Sequence, residues 1–178
     1  MTELTIPDGV STIGTYAFLG CTSLPEITIP DEVTTIGAYA FSGCTGLTKV
    51  TMPITAVYDC KTNINYYNNT FYNCKNVSEI HYTKGSGDVM VYDDHSHDAS
   101  TSQNYSLPGV AKAALTTVTL EEGITEIPNK FLYGCSNVEG IVLPSTLKTI
   151  GYSAFYNCKL GPETELPAGL ESIGSAAF

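Results

Sequence analysis

The chain has 178 residues with 18 acidic against 8 basic side chains, a formal charge of −10, and every basic residue is a lysine. Nucleic acid needs clustered positive charge opposite its phosphates, and an anionic membrane surface needs the same, so this balance argues against both as partners. No apolar run reaches the roughly 18 residues that a membrane-spanning helix requires.

Taken in order, the chain first runs Leu4-Thr5-Ile6-Pro7-Asp8-Gly9-Val10-Ser11-Thr12-Ile13, then Gly14-Thr15-Tyr16-Ala17-Phe18-Leu19-Gly20-Cys21. Pro7-Asp8-Gly9 is turn chemistry, because proline fixes φ and glycine is free to take φ > 0. Val10 and Ile13 bracket polar residues, which predicts a short second extended segment. The stretch from Gly14 to Phe18 predicts one helical turn, closed by Gly20 in a left-handed position.

The same order then recurs. Pro7, Pro30 and Pro53 are 23 residues apart, as are Phe18 and Phe41, and Cys21 and Cys44. After a disturbed middle the spacing returns in Leu120, Leu143 and Leu166, in Cys135 and Cys158, and in Phe155 and Phe178. A period in the twenties headed by Leu-x-x-Ile-x-Ile is the mark of a leucine-rich solenoid, whose coils bury their apolar faces on one another. The expected fold is therefore an α/β repeat solenoid, a right-handed superhelix with two short strands and one helical turn per 23-residue coil. It is expected to form a single unit over 1–178, of about seven coils with the fourth degenerate and the seventh cut short.

Two stretches leave the pattern, near 54–69 and near 83–105. The first adds seven residues between Phe41 and Phe71 and is rich in Asn and Tyr, which reads as a surface loop. The second holds Gly85-Ser86-Gly87, a flexible-linker signal, and the polar run Asp93-Asp94-His95-Ser96-His97-Asp98. Register resumes at Leu115-Thr116-Thr117-Val118-Thr119-Leu120, and Phe131 is assigned to the helical turn of the following coil. The chain enters its first repeat at Leu4 and ends inside one at Phe178, with no capping repeat and no signal peptide. It is expected to be a segment of a longer protein.

Of the six cysteines, Cys21, Cys44, Cys74, Cys135 and Cys158 hold one repeat position, eight residues before the last apolar residue of a strand. That regularity predicts a column of reduced, buried thiols in place of a disulfide framework. Cys60 is off-register in the first insertion.

The pattern Leu24-x-x-Ile27-x-Ile29-Pro30-x-x-Val33-x-x-Ile36-Gly37-x-x-Ala40-Phe41-x-Gly43-Cys44 resembles the BspA-like, or Treponema-type, leucine-rich repeat. The resemblance covers nearly the whole chain apart from residues 54–69 and 83–114. It implies a cell-surface or secreted protein, some relatives being adhesins for host matrix proteins or other cells.

For chemistry, the one cluster with metal-ligand residue types is Asp94, His95, His97 and Asp98, a weak candidate, since such runs are common in solvated loops. There is no glycine-flanked serine elbow and no phosphate loop. The expectation is a non-enzymatic chain without cofactor. Side chains alternate across a strand, so Glu26 and Thr28, Lys49 and Thr51, Glu79 and His81, and Thr117 and Thr119 are expected on one outward face. Glu3/Thr5, Gly140/Val142 and Glu163/Glu165 extend it. That face is the candidate binding surface for a protein or glycan, host extracellular matrix among them, helped by Tyr66, Tyr67, Tyr72, Tyr92 and Tyr105 in the insertions. The alternative is a structural spacer holding another domain away from the cell.

Overall fold

The computed structural model describes residues 2–58, 70–87, 112–161 and 164–178. Isoleucine, valine and threonine in alternation favour extended backbone, and such segments recur once or twice in each coil. In chain order they are β1 (Thr12–Ile13), β2 (Glu26–Thr28), β3 (Thr35–Ile36), β4 (Lys49–Pro53), β5 (Val57–Tyr58), β6 (Glu79–Thr83), β7 (Thr117–Leu120), β8 (Glu126–Ile127), β9 (Thr149–Ile150) and β10 (Ser172–Ile173).

Each strand pairs in parallel with its counterpart in a neighbouring coil. The leading strands form a four-stranded sheet in the order β2-β4-β6-β7, and the second strands form two three-stranded sheets, β1-β3-β5 and β10-β9-β8. The register follows the repeat: Ile27 lies beside Val50, Val50 beside Ile80, and Ile80 beside Val118. These four residues are buried, as are Leu24, Leu47, Val77, Leu115 and Val138 one step earlier in their coils. The core is thus a set of columns running along the stack, each side chain sealed by its equivalents above and below.

β5 keeps the second-strand register, Thr35 beside Val57 and Ile36 beside Tyr58. Val57 and Tyr58, expected in the first insertion, are therefore held in the stack by their backbone pairing with β3. The leading segment Val138–Leu143 has Val138, Ile141 and Leu143 buried but forms no strand, and the four-stranded sheet ends at β7.

The helical turn is absent. Among the described residues there is no helix at all, so the α component of the expected α/β solenoid is withdrawn. Between the second strand and the cysteine the backbone runs through successive turns whose N–H groups alternate in direction. Ala40 N–H donates to Gly37 O, Ser42 N–H to Tyr39 O and Cys44 N–H to Phe41 O within the coil. Phe41 N–H and Gly43 N–H instead reach Thr70 O and Tyr72 O in the next coil. The cause is a left-handed residue two positions before the phenylalanine: Tyr16, Tyr39, Ser153 and Ala176 all have φ between 50° and 60°. A left-handed residue breaks the run of right-handed φ,ψ that a helix needs, at a cost of roughly 1–2 kcal/mol to a side-chain-bearing residue. The coil-to-coil hydrogen bonds compensate it.

A second left-handed position falls two residues after the phenylalanine, at Gly20, Gly43, Asn73 and Asn157, and two residues after Leu132, at Gly134. Glycine and asparagine are the residues that tolerate this conformation best. The sequence reading of Gly20 as left-handed holds, although it closes a turn and not a helix.

The phenylalanines stack along the axis. Phe18 lies over Phe41 at 5.1 Å between ring centroids, Phe41 over Phe71 at 5.3 Å, and Phe155 over Phe178 at 5.5 Å. Phe131 is buried but off this column. Leu132 N–H donates to Ala154 O as Phe18 N–H does to Ala40 O, and Lys130, two residues earlier, is the left-handed one, so Leu132 holds the phenylalanine position. Phe131 takes the small-residue position instead and meets Tyr82 at 4.9 Å and Phe155 edge-on at 6.3 Å. The large Tyr82 ring, standing where other coils carry Ile29 or Met52, is matched by this one-residue displacement of the aromatic.

The cysteine column consists of free thiols at Cys21, Cys44, Cys74, Cys135 and Cys158. Three of these thiols satisfy a carbonyl of the coil before them. Cys44 Sγ donates to Phe18 O at 3.3 Å, Cys74 Sγ to Phe41 O at 3.0 Å and Cys158 Sγ to Leu132 O at 3.1 Å. A thiol suits the place because it is small and apolar yet can donate one weak hydrogen bond. Cys60 lies outside the described residues.

Candidate functional site

The sheet β2-β4-β6-β7 sets eight side chains in two outward rows. Glu26, Lys49, Glu79 and Thr117 form one row and Thr28, Thr51, His81 and Thr119 the other, each residue beside its neighbour in the next coil. Glu26, Thr28, Thr117 and Thr119 are exposed, and the four residues on the central strands β4 and β6 are half-buried by their neighbours. Along the first row, Lys49 Nζ pairs with Glu79 Oε1 at 2.8 Å, and the Glu79 carboxylate raises the lysine above its ordinary pKa. His81 Nδ1 lies 2.7 Å from Thr119 Oγ1. Glu79 and His81 therefore bond sideways to other strands and not to each other, which leaves no acid–base dyad between them.

The entry to each strand is stitched by hydroxyls. Thr48 Oγ1 donates to Pro25 O and Thr116 Oγ1 to Ser78 O, beside the backbone bonds of the same residues. These contacts fix the coil spacing at the head of the sheet, so the outward rows present a rigid surface. Beyond β7 the face changes character. Gly140 and Val142 are both exposed, Val142 at 82%, on a segment that forms no strand. Glu3, Thr5 and Glu165 are exposed as well, while Glu163 lies outside the described residues.

Asp94, His95, His97 and Asp98 lie outside the described residues, as do Tyr66, Tyr67, Tyr92 and Tyr105. Among the described residues no group of three metal-binding side chains converges. Tyr72 is 54% exposed and meets Tyr39 edge-on at 6.2 Å, and Tyr39 in turn stacks on Tyr16 at 5.6 Å. A second pair, Tyr133 and Tyr156, stacks at 5.0 Å, with Lys112 Nζ 5.3 Å above the Tyr133 ring. Of these turn-side tyrosines the sequence reading singled out Tyr72 and missed the others. Their signal was there, since Tyr16 and Tyr39 are 23 residues apart, as are Tyr133 and Tyr156.

Gly85-Ser86-Gly87 does not behave as a linker. Leaving β6, the chain doubles back over the third coil to the second. Thr83 Oγ1 donates to Asp31 Oδ1, and both Ser86 N–H and Ser86 Oγ donate to Asp31 O. Lys84 N–H is held from the other side by Glu121 Oε2 at 2.8 Å. This strap crosses Pro53 and Thr55, where the left-handed Gly85 leaves room for the Thr55 hydroxyl.

The sequence model of the BspA-type leucine-rich repeat region matches residues 1–92 and 100–178 in six copies. The chain belongs to the BspA-type leucine-rich repeat family. Solved structures similar to this BspA-type chain include a leucine-rich repeat protein of T. pallidum, at 24% identity and a TM-score of 0.49, covering 94% of this chain and 69% of that one. One from Eubacterium ventriosum has 24% identity and a TM-score of 0.42, covering 100% of this chain and 36% of the other. A third, titled a leucine rich cell surface protein, from Faecalibacterium prausnitzii, has 20% identity and a TM-score of 0.32, covering 100% of this chain and 54% of that one. No curated protein matches the sequence. For a BspA-type repeat, what the geometry offers is a rigid surface suited to protein interaction, since leucine-rich repeats are typically non-catalytic scaffolds.

Proposed function

We propose that this BspA-type segment is a non-enzymatic binding module of a surface or secreted protein, and that its strand face takes up a protein ligand. The observation that supports the reading is the alignment of Glu26, Lys49, Glu79 and Thr117 beside Thr28, Thr51, His81 and Thr119 over four coils. Extended strand faces are where solenoids commonly engage partners. The face carries carboxylates, hydroxyls and an imidazole on a backbone that needs no reorganisation, so little ordering entropy opposes association. Its only cation, Lys49, is already paired with Glu79, which favours a partner surface bearing basic groups. Adhesion to extracellular matrix or mucin, by protein or by glycan, belongs to the same reading.

The test is binding of the purified chain to immobilised matrix proteins and mucins by biolayer interferometry, with Glu79→Ala, His81→Ala and Thr119→Trp beside the parent. Retention of one panel member, weakened about tenfold or more by the face variants and untouched by Glu171→Ala, is the expected result. Retention that ignores all three face variants would count against the strand face. A panel with no binder at all would count against adhesion.

A further inference from the structure

The strap described above roofs a cavity of about 440 Å³ at the edge of the main sheet, away from the outward rows of β2-β4-β6-β7. One wall is Ile54 and Thr55 from the third coil, the second is Lys84 to Gly87, and the third is Gly123 to Glu126 at the head of β8. The volume lies within the range that holds small ligands, roughly 300–1,000 Å³. From these walls we infer a second binding site, and we propose that it takes the terminal one or two units of a neutral sugar chain.

The chemistry of the lining selects that class. Glu126 and Lys84 both face the cavity, and neither makes an ion pair among the described residues. An anionic ligand would meet the Glu126 carboxylate, and a cationic one would meet the Lys84 ammonium. A neutral polyol satisfies both, giving hydroxyl hydrogens to the carboxylate and hydroxyl oxygens to the ammonium. Gly85, Gly87 and Gly123 carry no side chain to fill the space along two walls, although Gly123 N–H is already donated to Thr146 Oγ1. Ile54 and Ile124 back the walls but are buried in the core, so the lining is mainly polar, as suits a polyol.

Thr55 adds an independent observation. It is 4% exposed, it lines the cavity, and its hydroxyl has no hydrogen-bond partner. A buried polar group left unpaired is costly; Gly85 lies against this hydroxyl, and a guest that eases the strap off it removes that cost. Glu126 is in a related state, its carboxyl pushed above the usual range by burial. Both groups gain from a hydrogen-bonding guest. This site stands apart from the strand-face reading and does not depend on it.

Saturation-transfer NMR on the full chain tests the proposal, with methyl β-galactoside, methyl α-mannoside and the methyl glycoside of N-acetylglucosamine as neutral probes. Inorganic phosphate, read by ³¹P linewidth, and spermidine serve as the charged comparisons. Transfer to at least one neutral glycoside is expected, weakened about tenfold by Glu126→Ala, since a hydrogen bond to a charged group is lost. Thr55→Val, which keeps the side-chain volume, should weaken it to a lesser degree, and Glu171→Ala, outside both sites, should leave it unchanged. Thermal melts of each variant show that it has folded. No transfer to any neutral glycoside overturns the proposal. Transfer indifferent to both cavity variants, or stronger binding of phosphate or spermidine, overturns it equally.

Discussion

Gly37 lies so close against Gly14 of the preceding coil that a Cβ on Gly37 would stand 2.7 Å from the Gly14 carbonyl carbon. The same holds for Gly151, whose Cβ would meet the Asn129 nitrogen at 2.5 Å, and for Gly174 against Tyr152. The obstacle is backbone, which cannot rotate away. Gly14 itself has nothing within 4 Å of its own Cβ site. Gly37→Ala should therefore cost about 1–3 kcal/mol by forcing two coils apart. Gly14→Ala should change stability by no more than about 0.5 kcal/mol. Urea unfolding of the two variants compares them directly, and equal effects would show that the coils are not packed through this glycine.

Phe41 is fully buried between Phe18 and Phe71 at centroid distances of 5.1 and 5.3 Å. Its replacement by alanine empties a site shared by three coils, and the flanking rings cannot close the gap without moving their backbones. Phe41→Ala should cost about 3–5 kcal/mol. Thr28→Ala, on the exposed face of β2, should stay within about 0.5 kcal/mol. The contrast separates the inward column from the outward one in a single denaturation experiment.

What was legible in the sequence was whatever repeats with the coil. Ile27, Val50, Ile80 and Val118 could be aligned by eye because burial selects one residue class at one phase, and the structure places them in one row. The free thiols of Cys44 and Cys74 were legible for the same reason. The helical turn was misjudged because Gly-x-Tyr-Ala-Phe suits a helix locally. What decides against a helix is the hydrogen bonding of Phe41 N–H to Thr70 O in another coil, a long-range term with no local signature. Phe131 was misplaced because the eye follows the phenylalanine, whereas the backbone register followed Cys135 and put Leu132 in the column. The strap was illegible: Asp31 and Ser86 are 55 residues apart and share no periodicity.

Gly85 is the residue on which the strap turns. Its φ is +69°, and a Cβ there would lie 2.8 Å from Pro53 Cβ and nearer still to the Thr55 hydroxyl. Gly85→Ala combines a disfavoured backbone conformation with a collision, so a loss of about 1–3 kcal/mol is expected. Asp31→Ala removes only the bond from Thr83 Oγ1, because Ser86 is held by the Asp31 backbone carbonyl. Its expected cost is about 1 kcal/mol. Limited proteolysis should cut the Gly85→Ala variant sooner near residues 84–87 than the parent, whereas Asp31→Ala should be cut there only slightly faster. Equal resistance of all three proteins would mean that the strap is not held at Gly85.

Alkaline pH tests the thiol column. Burial, helped by the neighbouring Cys135, pushes the Cys158 thiol up to about 12, and its hydrogen goes to Leu132 O. Cys74 is raised too, by its contact with Cys44 and then by burial. An unfolded thiol ionises near pH 8.5. Above that pH the unfolded chain has released protons that the folded chain still binds, so the slope of unfolding free energy against pH is negative. The contribution of Cys158 is complete below about pH 8.5 and is lost progressively as pH rises toward about 12. Lysines and tyrosines titrate over part of this range, and Cys158→Ala isolates the thiol from them. Urea midpoints should fall between about pH 7.5 and pH 10 for the parent and fall less steeply for Cys158→Ala. Parallel curves for the two proteins would mean that the folded state does not hold the Cys158 proton, and that the thiol-to-carbonyl bond between coils is not made.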